Sequence, residues 1–215
     1  MENREIREEI SGGLLDIKAV FLRPDQPFVW ASGIKSPIYT DNRLILSYPE
    51  LRTKVEKALA QMVKDHFPEA RVLMGTATAG IAHAAIVADL LGLPMGYVRS
   101  SSKDHGRNNR IEGKLEKGSK VVVIEDLIST GGSLLECVRC LRDAGADVLG
   151  AISIFSYNME KSKNNFKEEN LSVYSLTNFD TIIETAAKSS YIKEEDKVKL
   201  LAFRDNPDDE SWIRA

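Results

Sequence analysis

Residues 121–133, VVVIEDLISTGGS, set four apolar, mostly β-branched residues against two adjacent acids, then hydroxyls and a glycine pair that opens the amphipathic run LLECVRCLRDAG. A continuous apolar run is the signature of a strand buried on both faces of a parallel sheet. The first turn of the helix that follows leaves unpaired backbone N–H groups and a partial positive charge above the strand end. Such a place suits a phosphate. Glu125 and Asp126 beside that phosphate are costly unless sugar hydroxyls or a metal ion satisfy them. The stretch therefore predicts a site for a phosphorylated sugar.

Working outward, the same rhythm recurs. RVLMG (71–75) reads as a strand, TATAG (76–80) as a turn, IAHAAIVADLLG (81–92) as a small-residue helix and PMGYVR (94–99) as the next strand. DVLGAISIFSY (147–157) is a further buried strand, and LSVYSLT (171–177) a short one. Strand and helix in alternation, joined by right-handed crossovers, place these strands in one parallel sheet with ligands at their carboxyl ends. Gly75 and Gly80 are not spaced as a dinucleotide fingerprint and no Walker sequence is present, so neither of those readings holds. A close backbone approach to an anion stays open for the 76–80 turn.

At the ends of the chain, apolar residues at Ile6, Ile10, Leu14 and Ile17 predict an amphipathic helix interrupted or weakened near Gly12 and Gly13. Residues 21–43 hold prolines and short apolar pieces that read as strands and turns, with Lys35, Tyr39, Asp41 and Arg43 offering polar groups; a binding segment and a surface hairpin are equally compatible. Residues 50–67 read as a packing helix whose His66 is solvated and favourable to the helix dipole. Residues 160–170 read as charged and exposed, Asn178 or Asp180 as the cap of the next helix, and the tail as an amphipathic helix with a mobile acidic end. His83, inside an alanine-rich helix, reads as a satisfied structural histidine. Cys137 and Cys140 lie within a helix and lack both the helix-start position of a redox pair and further metal ligands, so they read as packing residues.

Residues 100–113, SSSKDHGRNNRIEG, are long for a connection inside a compact domain. From 99 to 110 four cations stand against one acid, a local +3 in a chain of formal charge −3. That reversal favours a lid carrying cations onto a polyanion over a merely solvated loop. The overall charge, with pI near 5.7, argues against a nucleic-acid or anionic-membrane surface as the main role. No apolar run approaches the roughly 20 residues that span a bilayer, and no signal segment opens the chain. The length of 215 residues suits one α/β domain, and a reducing cytoplasm fits the cysteine usage.

These segments together resemble the orotate phosphoribosyltransferases of the type I phosphoribosyltransferase family. IEDLISTGGS resembles the signature that binds 5-phospho-α-D-ribose 1-diphosphate (PRPP); the loop with Arg99, Lys103, His105 and Gly106 resembles their catalytic lid; FVWASGIKSPIYTDNR resembles their orotate-side segment. The resemblance implies a type I fold in one domain over 1–215. A central parallel sheet would be flanked by helices, with a core of about 46–158, a lid at 100–113 and a small hood from 1–45 with parts of 160–215.

It also implies roles. Lys103, His105 and Asp126 would be catalytic. Arg99, Lys103, His105, Glu125, Asp126, Leu127, Ile128, Ser129, Thr130, Gly131, Gly132 and Ser133 would bind PRPP, with Glu125 and Asp126 on the ribose hydroxyls. Ser129, Tyr39 and Thr40 would bind orotate, and Thr78 and Ala79 would approach the diphosphate. Mg²⁺ would be the cofactor, held mainly through PRPP, and a homodimer would place each lid in the neighbouring active site. Many relatives carry lysine where this chain has Ala31, Ala79 and Ser100, and arginine near Tyr157; either Mg²⁺ and Lys35, Arg43 or the lid arginines would compensate, or affinity for substrate would be lower. The rival readings are a phosphoribosyltransferase for another base and a non-catalytic PRPP sensor.

Overall fold

The computed structural model describes residues 2–29, 33–100 and 110–214. The apolar run forms β8 (Lys120–Ile128), and its side chains split between two cores. Val122 and Ile124 point to one face of the sheet and Val121 and Val123 to the other, all fully buried. This two-sided burial is why the run does not alternate with polar residues. β8 lies beside β5 (Val72–Thr76) and β9 (Asp147–Ser156), parallel to both.

The described sheet has six strands in the order β10-β9-β8-β5-β6-β7. β6 (Met95–Val98) and β10 (Val173–Asn178) extend the parallel part, while β7 (Ile111–Glu112) returns antiparallel to β6. The end of the expected lid is thus strand. β6 and β7, which flank the expected lid, pair as a two-strand stem.

On one face pack α1 (Glu2–Asp16), α2 (Pro49–His66), α3 (Ala79–Leu91) and α6 (Phe179–Lys188). α7 (Asp196–Asp205) packs against α6. The other face carries α4 (Gly132–Asp143), which buries Leu134, Cys137, Val138 and Leu141 against the sheet. Cys137 is there as a packing residue, and burial pushes its thiol far above the ordinary range. The segment expected to form the hood holds β1 (Val20–Leu22) paired antiparallel with β4 (Ile38–Thr40), and β2 (Phe28–Val29) paired with β3 (Lys35–Ser36). A 3-10 turn, Asn42–Ser47, links the hood to α2.

Some expectations need correction and others hold. α1 runs unbroken through both glycines, because Gly13 faces α2: a Cβ there would lie 2.6 Å from Leu51 Cδ1. The charged segment after β9 is a helix, α5 (Glu160–Glu168), half-exposed at Phe166 and buried at Ser162. The acidic tail folds back as a second 3-10 turn, Glu210–Arg214, which buries Trp212 edge-on against Phe203 at 5.6 Å. One aromatic residue outweighs the acids around it, since a buried indole removes a large apolar area from water. His66 is exposed but stacked on Tyr174 at 3.7 Å. Asn178 is the α6 cap, its Oδ1 accepting from the Thr181 N–H at 3.0 Å.

Candidate active site

The last β5–β8 pair is Gly75 with Ile124. Beyond it β5 turns away, and the edge of β8 that it had covered is satisfied by side chains. The Thr76 hydroxyl donates to Glu125 Oε1 at 2.6 Å, and the Asp126 N–H donates to the same oxygen at 3.0 Å. On the other side of that residue, Asn42 Nδ2 donates to the Asp126 carbonyl at 2.7 Å. Glu125 is only 5% exposed. Burial and the neighbouring Asp126 raise its pKa to about 8, against the pull of the Thr76 hydrogen bond. Asp126 is half-buried, and its side chain comes close enough to Glu125 to add to that rise.

Above the strand end, residues 129–131 bend into α4. Gly131 takes φ +82° as the helix cap, where a side chain would be strained, and a Cβ would also lie 2.5 Å from the Phe166 ring. Asn165 Nδ2 donates to the Thr130 carbonyl at 3.0 Å. α5 therefore braces the loop from behind, while Gly132 and Ser133 stay exposed at the start of α4. Loop and helix start form a cradle of N–H donors for an anion.

The 76–80 turn lies alongside, with the Ala77–Thr78 peptide in the cis form and Thr78 capping α3. The glycines of this turn serve the protein's own packing: a Cβ on Gly80 would lie 2.6 Å from the Ile124 carbonyl, and one on Gly75 2.9 Å from the Gly80 carbonyl. The turn is thereby drawn against the acid-bearing strand. From the hood, Thr40 Oγ1 accepts from the Tyr157 hydroxyl at 3.3 Å, and Tyr39 is 43% exposed. Tyr157 sits edge-on to Phe155 and stacked near Phe179, and burial pushes its phenol up to about 12.

The fold thus gathers Glu125, Asp126, the 127–133 loop, Thr78, Ala79 and, through Tyr157, Thr40 at one end of the sheet. The cations are placed differently. Arg99 faces Glu112 at 3.6 Å, and Arg110 binds the Arg99 carbonyl at 2.8 Å and Glu136 at 2.7 Å, so both guanidinium groups hold the lid stem. Lys35 is paired with Glu210 at 2.8 Å, and Arg43 grips Asp41 through two hydrogen bonds of 2.6 and 2.8 Å. Lys103, His105 and Ala31 lie outside the described residues. Sequence reasoning missed Thr76, Asn42, Asn165 and Phe166. Thr76 and Asn42 carried a faint signal as hydrogen-bonding residues at the ends of apolar strands; Asn165 and Phe166 gave none, since their role depends on where α5 lands.

Residues 43–188 match the family model described as the phosphoribosyl transferase domain. The chain is 53% identical over 210 residues to the orotate phosphoribosyltransferase of Bacillus cereus strain G9842, covering 98% of this chain and 100% of that one. Its fold is similar to that of the orotate phosphoribosyltransferase of Aeropyrum pernix, with a TM-score of 0.74 and 29% identity over 85% of this chain and 99% of that one. It is also similar to Leishmania donovani UMP synthase, with a TM-score of 0.77 and 24% identity over 91% of this chain and 41% of that one. The phosphoribosyl transferase domain match and the full-length 53% identity to such an enzyme make this chain a member of the orotate phosphoribosyltransferases.

Proposed function

We propose that this chain transfers ribose 5-phosphate from PRPP to N1 of orotate, giving orotidine 5′-monophosphate and diphosphate, with the strand end of β8 as its ribose site. The observation that carries this reading is the junction at 125–133: two adjacent acids lead directly into a braced N–H cradle. The spacing suits the hydroxyls and the 5-phosphate of one sugar. Ser129 to Ser133 wrap the phosphate, Leu127 and Ile128 carry the backbone into that loop, and Asp126 with Glu125 meets the hydroxyls. Tyr39, Thr40 and Ser129 hold the base, and Thr78 and Ala79 line the diphosphate side.

Orotate is an anion at neutral pH, so its nitrogen needs no strong base. Charge instead develops on the ribose, which gains oxocarbenium character, and on the departing diphosphate. Asp126 stabilises the first, and Arg99, Lys103 and His105 the second, as the lid excludes water. Mg²⁺ would be held mainly through PRPP, with the half-buried Asp126 as the acid open to it. Bound there with PRPP, Mg²⁺ supplies charge neutralisation for the leaving diphosphate.

The active unit is a homodimer, each lid serving the neighbouring site. Free cysteines, one of them buried, support a reducing cytoplasm, and among the described residues no helix is long and apolar enough to cross a membrane. The test is direct: protein, PRPP, Mg²⁺ and orotate are mixed and the orotate ultraviolet band is followed. Loss of the band with equimolar diphosphate is expected. Consumption of PRPP with another base but not orotate would reassign the substrate, and PRPP binding with no turnover of any base would mark a sensor.

A further inference from the structure

The hood and the strand end are joined by a side chain to which the reaction assigns no role. Asn42 is fully buried, at the first position of the 3-10 turn that follows Thr40 and Asp41. Its Nδ2 donates to the Asp126 carbonyl at 2.7 Å, where β5 has ceased to cover β8. Its Oδ1 finds no hydrogen-bond partner among the described residues. A buried amide that satisfies one end and leaves the other bare is a costly way to fill space. An apolar side chain would fill it without that cost, so the amide is explained by its donor.

The consequence lies in what the bond connects. Asp126 has its N–H held by Glu125 and its carbonyl held by Asn42, so the peptide units on both sides of the acid are fixed. Asn42 is itself two residues from Thr40, which is held in turn by the Tyr157 hydroxyl at 3.3 Å. Tyr157 is anchored to β8, its N–H donating to the Ile128 carbonyl at 2.8 Å. The hood is therefore tied twice to the strand that carries the acids, once at Asp126 and once through Tyr157. In-line attack of a base nitrogen on the sugar needs those two parts in fixed register.

We propose that Asn42 is a positioning residue that sets the base-binding hood in register with the ribose-binding end of β8, with Tyr157 as a second, weaker tether. This rests on the assignment of Asp126 to ribose and of Tyr39 and Thr40 to orotate. Asn42 touches neither substrate; it acts through the peptide of Asp126 and the turn after Thr40.

The experiment compares Asn42→Asp, which keeps the shape but turns a donor into an acceptor facing the Asp126 carbonyl, with Asn42→Ala and Tyr157→Phe. Steady-state kinetics with varied orotate and varied PRPP are measured beside thermal melting and hydrogen exchange of residues 38–47. A misplacement of about 1 Å costs on the order of 10²-fold in rate. Both Asn42 variants are therefore expected to lose roughly 10- to 100-fold in kcat, with the KM for PRPP little changed and faster exchange in the hood. Tyr157→Phe, which removes one hydroxyl and leaves the core filled, is expected to lose kcat several-fold in the same pattern.

A purely structural role would lower the melting temperature and the yield of active protein without that split between kcat and KM. Folded Asn42 variants with kcat within about twofold of wild type would overturn the proposal. Should neither Asn42 variant fold, an unchanged kcat in Tyr157→Phe overturns it. Wild-type protein inactive on orotate would sink the functional reading instead, while unchanged hood exchange in the folded variants would sink the tether itself.

Discussion

His83 Nδ1 lies 2.6 Å from Glu56 Oε1, and both side chains are withdrawn from solvent. The pair joins α3 to α2, and α3 is the helix that begins at the Thr78–Ala79 turn. Burial raises the Glu56 pKa, and the hydrogen bond from His83 opposes the rise. Glu56 Oε2 and His83 Nε2 have no partners among the described residues, so the pair satisfies only one atom of each. Removing one partner strands the other. His83→Ala or Glu56→Ala should cost about 3–5 kcal/mol in urea unfolding, whereas Glu56→Gln, which keeps one hydrogen bond and carries no charge, should cost much less. Equal losses in Glu56→Ala and Glu56→Gln would show that the charge is what matters.

The carboxyl of Glu125 predicts a pH dependence of stability. Its folded pKa is raised from 4.5 to about 8, so the folded state holds a proton that the unfolded chain has released. Stability from this group is fully present below the unfolded value and is lost as pH rises through about 8. Melting temperature of the ligand-free protein should therefore fall between pH 5 and 8.5, and Glu125→Gln should flatten that fall and melt several degrees higher at the alkaline end. An unchanged slope in the variant would assign the dependence to other groups.

Gly131 is constrained twice, by its φ of +82° and by the Phe166 ring. Gly131→Ala should raise the KM for PRPP at least tenfold, equivalent to about 1.4 kcal/mol of binding. Adding Phe166→Ala gives room but restores neither the backbone conformation nor the brace, so the double variant should stay impaired. Recovery to wild-type KM would show that only the ring contact matters. Titration with PRPP separates this effect from folding, since a variant that melts normally but binds weakly has lost the cradle alone.

Much of this was legible in the sequence for physical reasons. Val121 to Ile124 announce a strand buried on both faces because nothing polar interrupts them, and Gly131 with Gly132 announces a loop that needs backbone freedom. The helix over residues 160–168 was invisible because its side chains are mostly polar; it forms where Phe166 finds the loop of another element. Trp212 was hidden by the acids before it. Contacts such as Asn42 to Asp126 span 84 residues, and no local pattern encodes a partner at that distance. A count of charges likewise does not show that Arg99 lies near Glu112 and Arg110 near Glu136, since those acids come from another strand and from a helix.

The shared active site gives the last prediction. The segment expected to be the lid is flanked by β6 and β7 at one edge of the sheet, while Asp126 lies near the end of β8, with β5 between β8 and β6. If each lid serves the neighbouring subunit, a Lys103→Ala chain and an Asp126→Asn chain are each nearly inactive alone, for different reasons. Loss of one stabilising contact of this kind costs roughly 10²- to 10³-fold in rate. A mixed dimer of the two has one site with both lesions and one with neither. Subunit exchange of equal amounts yields about half mixed dimers, so activity should return to roughly a quarter of wild type by this count of intact sites. Activity that stays at the sum of the separate variants, with exchange verified by a mass tag, would assign lid and acid to the same chain.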